Sequence, residues 1–338
     1  QNLVHEYISN SLHTFSKLYL QDCNVRNIIA VGNQLQTFVK YLVTHHFGNL
    51  QPVDSKGNKK DSVNRQEYEE LYHAISTQAP DDLARELSIS EDKAELLLPT
   101  AMIYHNIFEE TDAEFMWLSG ITICDGTAAD FAECKEHIVP AHPFSDDIIS
   151  VSRKLAERFC CDTEHIHQVE IAALKLFDAL RKANHLTKKD RLLLQIAAIL
   201  HNCGSFLNLN DIGENSYKIV TSTEIIGLSH QERMIVAYVI RYTTGDFPEY
   251  SEIKNEFSRE EYIKIAKLNA ILCLADAMDR SHQQKFTNFT VRKRGYDLTI
   301  TGQTLYDITL EHGMFIQKSP FFEEAFGIRP VLRQKKCL

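Results

Sequence analysis

The chain holds no run of eighteen or more apolar residues, so no membrane-spanning helix is expected. Its opening residues, QNLVHEYISNSLHTF, lack a basic segment followed by an apolar one, so no secretory leader is read there. They also lack an initiator Met, as a fragment or processed chain would. Excess positive charge is missing too. The formal net charge is −10, which argues against a nucleic-acid binder of the basic-patch kind while leaving room for a local basic groove. The eight cysteines form no C-x-x-C pair. Adjacent Cys160 and Cys161 suit neither a zinc knuckle nor a simple disulfide framework, so reduced thiols in a cytoplasmic protein are expected. No internal repeat or low-complexity tract is found.

What is present is the composition of a soluble globular protein, 44% hydrophobic and 24% charged. At 338 residues the chain is too long for one ordinary core, and about two or three domains are expected. Residues 1–20 read as an amphipathic helix. VRNIIAV (25–31) reads as a buried strand ended by Gly32, and a helix over 35–43 follows. Strand, glycine turn and helix make an α/β unit of the kind that sometimes holds phosphate on a helix N-terminus. A single glycine carries that reading weakly, and a plain structural turn is favoured. The polar stretch 50–63 reads as a loop. Helices are expected at 65–77, 80–87 and 90–96, the last capped by Ser88 or Ser90, and then from Pro99 onward. WLSGITICDGTAADF (117–131) reads as a strand, a turn at Asp125-Gly126 and a helix. This alternation makes 1–137 an α/β domain.

HIVPAHPFSDD (137–147) carries two prolines and is the linker candidate. Residues 138–284 then read as almost all helical, with helices near 146–159, 163–184, 189–201, 216–226, 230–242 and 259–279. Residues 285–338 form a small β-rich module. FTNFTVRKRGYDLTITG alternates around a turn at Arg294-Gly295, TLYDITLEH continues the alternation, 314–326 is a short helix and IRPVLR a final strand. The fold class is therefore multidomain α+β.

Five segments carry a resemblance to the exopolyphosphatase / guanosine-pentaphosphate phosphatase (Ppx/GppA) family. They are ITICDGTAADF (121–131), HIHQVEIAALKLFDAL (165–180), LLQIAAILHNCGSFLN (193–208), LNAILCLADAMDRSHQ (268–283) and PFFEEAFGIRPVL (320–332). The "LADAMDRSH" run is the most specific. The resemblance implies that 1–137 is the second of two actin-like (ribonuclease-H-like) domains, that 138–284 is an HD-like helical domain, and that a β module closes the chain. It implies Mg²⁺-assisted phosphoanhydride hydrolysis of polyphosphate or a guanosine polyphosphate in the cytoplasm, by a homodimer that binds neither nucleic-acid polymers nor membrane. In that family the catalytic glutamate and Gly-rich phosphate loops lie in the first actin-like domain. No D-x-G-S-N-S-like or D-x-G-G-G-S-like loop occurs in this sequence, and the second-domain phosphate turn reads Gly32-Asn33-Gln34-Leu35. The chain alone is therefore expected not to hydrolyse polyphosphate.

HD-type sites use a His, a His-Asp pair and a distant Asp to hold one or two divalent metals. Carried over, His165 is the first His, His201 the second and Asp276 the last Asp, while Asn202 sits where the paired acid belongs. A neutral amide keeps the shape but loses the charge. Further ligand-like positions are also changed, at Leu209, Asp211, Gly213, Asn215 and Thr243. Three readings follow: a working metal site, a vestigial site that stabilises the fold, and a metal-free ligand pocket. The joint loss of several ligands favours the vestigial one. On the bland view His201 caps helix carbonyls, His165 is an ordinary surface His, and Asp276 pairs with Arg280. Lys285, Arg292, Lys293 and Arg294 form a basic run whose plain reading is a solvated hairpin face. The functional one is a patch that guides a polyanion, with Arg241 and Arg280 nearby. Trp117 and the helically spaced aromatics read as core. Three function classes remain: a Ppx/GppA phosphohydrolase, a non-catalytic regulator binding polyphosphate or a guanosine polyphosphate, and an HD-type metal phosphohydrolase.

Overall fold

The computed structural model describes residues 2–20, 23–32, 34–45, 61–135, 142–181, 184–286 and 288–335. The chain divides into two compact units, Gln1–Pro140 and Ala141–Leu338.

In the first unit, α1 (Asn2–Phe15) runs into a short π-helical turn. It is followed by β1 (Asn27–Ala30), α2 (Leu35–Thr44), β2 (Asp61–Asn64), α3 (Arg65–Ser76), α4 (Pro80–Leu87), α5 (Glu91–Glu95), α6 (Leu97–Glu109), β3 (Phe115–Leu118) and α7 (Ile123–Cys134). The sheet has the order β1-β3-β2, with β1 parallel and β2 antiparallel to β3. Strand β2 corrects the loop expected through residue 63. With Val63 its only apolar residue, it shows no alternation to read. Asn64 ends it and caps α3, accepting from the Glu67 N–H at 2.9 Å, while the Glu67 carboxylate accepts from Asn64 N–H. Ser90 occupies the N-cap of α5 without a side-chain bond, and Ser88 adopts the left-handed conformation that ends α4. Asp125-Gly126 is not a turn but the first turn of α7. Thr122 and Asp125 form a capping box there, so the polar pair marks a helix start. The core of this unit gathers Phe38, Tyr41 and Leu42 of α2, Tyr68, Leu71 and Ile75 of α3, and Met116 and Leu118 of β3.

The second unit begins with α8 (Phe144–Arg158), α9 (Thr163–Leu180) and α10 (Lys188–Leu200), the last ending in a 3₁₀ turn (Cys203–Phe206). Next come α11 (Ile212–Ser222), α12 (His230–Arg241), α13 (Tyr250–Ile253) and α14 (Arg259–Ala277). It closes with β4 (Asn288–Arg294), β5 (Asp297–Gln303), α15 (Thr309–Phe326) and β6 (Arg329–Lys335). The β4–β5 hairpin is antiparallel and β5 pairs parallel with β6. Helix α15 corrects the strand-like reading of TLYDITLEH. Ile308, Glu311, Phe315, Phe322 and Phe326 are buried, a helical spacing that the local alternation concealed. One continuous core joins helices and sheet. Ile196, Ile199 and Leu200 of α10 and Ile271 and Leu274 of α14 share it with Phe289, Ile300, Phe315 and Phe322.

Candidate functional site

Three helix ends of the second unit converge. Asp162 caps α9, its carboxylate accepting from the backbone N–H groups of Glu164 and His165 at 3.1 and 3.2 Å. This fixes the first turn of α9 and with it His165, which is 1% exposed. The sequence reading of His165 as a surface residue is thereby corrected. His201 follows the last residue of α10 and is buried. Its carbonyl accepts from Ser216 Oγ, which in turn accepts from Gly204 N–H, both at 2.8 Å. Gly204 has a steric reason. A Cβ there would lie 2.2 Å from the carbonyl oxygen of Ile212, so only glycine lets α11 close under the turn that carries His201. Asp276 projects from the last turn of α14.

His165 Nε2 lies 3.2 Å from His201 Nε2. Asp276 Oδ1 is 3.5 Å from the first of these nitrogens and 3.6 Å from the second. The remaining ring nitrogens are already engaged. His165 Nδ1 is 2.9 Å from the buried carboxylate of Asp279, and His201 Nδ1 is 2.8 Å from the carbonyl of Ala198. Those oxygens only accept, so each Nδ1 carries the hydrogen and each Nε2 is turned toward Asp276. Asp279 is itself held by the Gln284 backbone N–H at 2.7 Å. A carboxylate behind a ligating imidazole is a recurrent second support of metal-binding histidines.

Two bare Nε2 lone pairs this close repel unless something positive lies between them. A proton fills that role in part. Burial opposes charge on His165, but hydrogen bonds to Asp276 and Asp279 outweigh it and raise its pKa to about 9. Burial likewise works against ionised Asp276, and the two histidines overcome it, holding the carboxyl far below its usual range. A divalent metal could replace the proton on this N,N,O set, because one donor atom from each residue lies within 4.8 Å of the others. Two imidazoles and one carboxylate suit Zn²⁺, Mn²⁺ or Fe²⁺; Mg²⁺ prefers all-oxygen, water-rich coordination and does not fit them.

The triad lies in a cavity of about 330 Å³, also lined by Asn202, Arg280, His282 and Thr244. Arg280 Nη1 is 3.5 Å from Asp276 Oδ2. His282 stacks on His165 with ring centres 3.6 Å apart and meets Asp162 Oδ2 at 3.0 Å.

The structure thus brings together His165, His201, Asn202, Asp276 and Arg280. Arg241 lies elsewhere, bonded to Glu214 at 2.7 Å and stacked on Tyr217. Lys285 is committed to Glu311 at 3.0 Å, its side chain 12% exposed. Arg292, Lys293 and Arg294 are exposed on β4, where strand geometry turns Lys293 to the face opposite the two arginines. Gly32 ends β1 with φ +136°, and Asn33 lies outside the described residues. Asp162, Asp279 and His282 escaped the sequence reading. The last two sit in the same "DAMDRSH" run as Asp276, and the three-residue step from Asp276 to Asp279 signals a shared helical face.

None of the described helices is long and apolar enough to cross a membrane. No curated protein matches the chain. The family model "Ppx/GppA phosphatase, domain III" matches residues 149–317, a span that runs from α8 into α15 and contains every residue of the cavity. The chain belongs to the Ppx/GppA phosphatase family, and residues 149–317 carry its domain III.

Proposed function

We propose that this chain is part of a Ppx/GppA phosphohydrolase acting on a phosphoanhydride chain, polyphosphate or a guanosine polyphosphate. In this reading its second unit contributes a metal-binding phosphate pocket on His165, His201 and Asp276. The observation that carries the pocket is the pair of Nε2 atoms, 3.2 Å apart, aimed at one carboxylate oxygen with both Nδ1 atoms already bonded. A bound divalent metal would polarise a phosphoryl oxygen. The protein's own part is to orient the imidazoles through Asp279 and Ala198, and to offer the Arg280 guanidinium to a phosphate. Family membership makes a divalent metal plausible. Mg²⁺ belongs in this proposal with the Gly-rich phosphate loops, which this sequence does not contain. The first unit is read as actin-like, supported by its parallel β1–β3 pair and the intervening helices.

A second reading, phosphate binding without turnover, draws support from Asn202. Without a carboxylate there, no acid bridges two metals or holds a water between them. One experiment tests the metal in this pocket. Metal content of the purified chain is measured together with phosphate release from polyphosphate and pppGpp in Mg²⁺ or Mn²⁺. The proposal expects about one transition metal per chain, lost in His201→Ala, and no phosphate release by the chain alone. Metal-free protein that His201→Ala leaves unchanged in phosphate binding would remove the metal from the reading.

A further inference from the structure

A second cavity of the same unit, about 440 Å³, is lined in part by Tyr242, Gly245 and Asp246 of the turn that follows α12. Tyr242, Phe247, Tyr262 and Phe321 supply aromatic rings to a lining that is otherwise largely polar. Phe247 is the hub, its ring centre 5.4 Å from Tyr242, 5.6 Å from Tyr262 and 5.1 Å from Phe321. Three exposed carboxylates, Asp246, Glu249 and Glu324, line the same space. Lys318 is the one basic residue in the lining, and its Nζ is turned to the carbonyl of Thr243 at 2.8 Å. The negative field reaches the rings. Burial first, and then the charges of Glu324, Glu249 and Glu252, raise the Tyr262 phenol pKa above its ordinary value.

The molecule already uses this combination beside the cavity. Arg241 lies over Tyr217, Tyr238 and Tyr242 at 4.5, 5.7 and 5.6 Å from their centres, and Glu214 closes the set with a 2.7 Å bond. Rings plus carboxylate hold a cation there. The 440 Å³ cavity repeats the ingredients, yet among the described residues no lysine or arginine is seated over Phe247, Tyr262 or Phe321. Ring faces attract cations through their quadrupole. The surplus of carboxylate opposes an anion, including a nucleotide phosphate.

We propose that this cavity is a binding site for an alkylammonium cation, a polyamine or quaternary ammonium group. The amine would lie against the faces of Phe247, Tyr262 and Phe321, with its charge balanced by Asp246, Glu249 and Glu324. This site is independent of the His165–His201–Asp276 pocket and of the phosphohydrolase reading.

The test is calorimetric titration of the full chain with spermidine and with choline at physiological salt, with guanosine as the neutral planar probe. Saturable binding of at least one amine is expected, without guanosine binding. Phe247→Leu should weaken it about tenfold. The surface pair Asp246→Asn with Glu324→Gln, which leaves the core intact, should weaken it by several fold. A control pair elsewhere, Asp130→Asn with Glu133→Gln, should change nothing. Absence of saturable binding by either amine at about 10 mM, a range that includes weak cation–π sites, would overturn the proposal. So would equal weakening by the control pair, or binding of guanosine in place of the amines.

Discussion

At the scale of single residues, Asn202 is the departure of the proposed site from an HD-type arrangement that lies directly beside His201. Its side chain lines the cavity beside His201, so restoring the acid requires no change of shape. Asn202→Asp is expected to increase the metal retained through dialysis, from about one ion toward two, because a carboxylate can bridge where an amide cannot. Elemental analysis of both proteins after exposure to Mn²⁺ or Zn²⁺ reads this directly, and unchanged stoichiometry would show that the fourth position is not part of the site. Gly204 offers a sharper steric test. Its missing Cβ would sit 2.2 Å from a backbone oxygen and 2.5 Å from a backbone nitrogen, neither of which can rotate away. Gly204→Ala should therefore cost about 2 kcal/mol or more, measured as a fall in urea midpoint, and should loosen His201 as α11 backs off. The sequence made the His-x-x-Gly pattern visible, but nothing in it said that the glycine was needed by α11 rather than by the histidine's own turn.

At the scale of elements, the long helices were legible because their apolar residues recur with helical period. The structure adds capping boxes at Thr187 with Asp190, Ser229 with Glu232, and Ser258 with Glu261, which the sequence reading did not name. The convergence of α9, α10 and α14 was legible only through family resemblance, since periodicity says which face is buried and not which helix ends meet. Besides the capping pair at Thr122-Asp125, two errors of element type have local causes. Strand β2 is too short and polar to show a period, and the start of α15 mimics alternation over a few residues. The cap of α9 joins element to site. Asp162 holds both the first turn that carries His165 and the imidazole of His282. Asp162→Ala should cost about 1 kcal/mol of stability and weaken metal retention at His165 as well. Asp162→Asn, which can still cap, should recover most of the stability. If metal retention is unaffected in either variant, the cap is structural and does not position the site.

At the scale of the whole molecule, the described residues form two cores, and the second extends from α8 to β6. The helical part and the sheet are tied polar group by polar group. Gln168 Nε2 donates to the carbonyl of Phe286 at 2.9 Å, and Lys175 Nζ donates to that of Phe289 at 3.2 Å. Residues 141–338 are accordingly expected to unfold in a single cooperative transition, while 141–284 expressed alone should give no cooperative transition at all. A sequence-level change from helix to strand at 285 marks a change of element and says nothing about where a core ends. The deepest tie is Glu311, on the first turn of α15. It is 0% exposed and accepts from Ser281 Oγ and from Lys285 Nζ, the latter at 3.0 Å. Burial works against its charge, but these donors prevail and hold its pKa below the ordinary value. A carboxyl whose folded pKa is lowered binds protons more readily when unfolded. Its stabilisation is therefore complete above its unfolded pKa of about 4.3 and is lost as pH falls through the folded value. Glu311→Gln removes the charge and leaves Lys285 without its partner in a site with little water, at a cost of about 3 kcal/mol at neutral pH. Urea unfolding of wild type and E311Q as a function of pH should show that gap constant from pH 8 to about 5 and narrowing below about 4. A gap that stays the same through the acid range would mean that packing of the side chain, and not its charge, joins α15 to the end of α14.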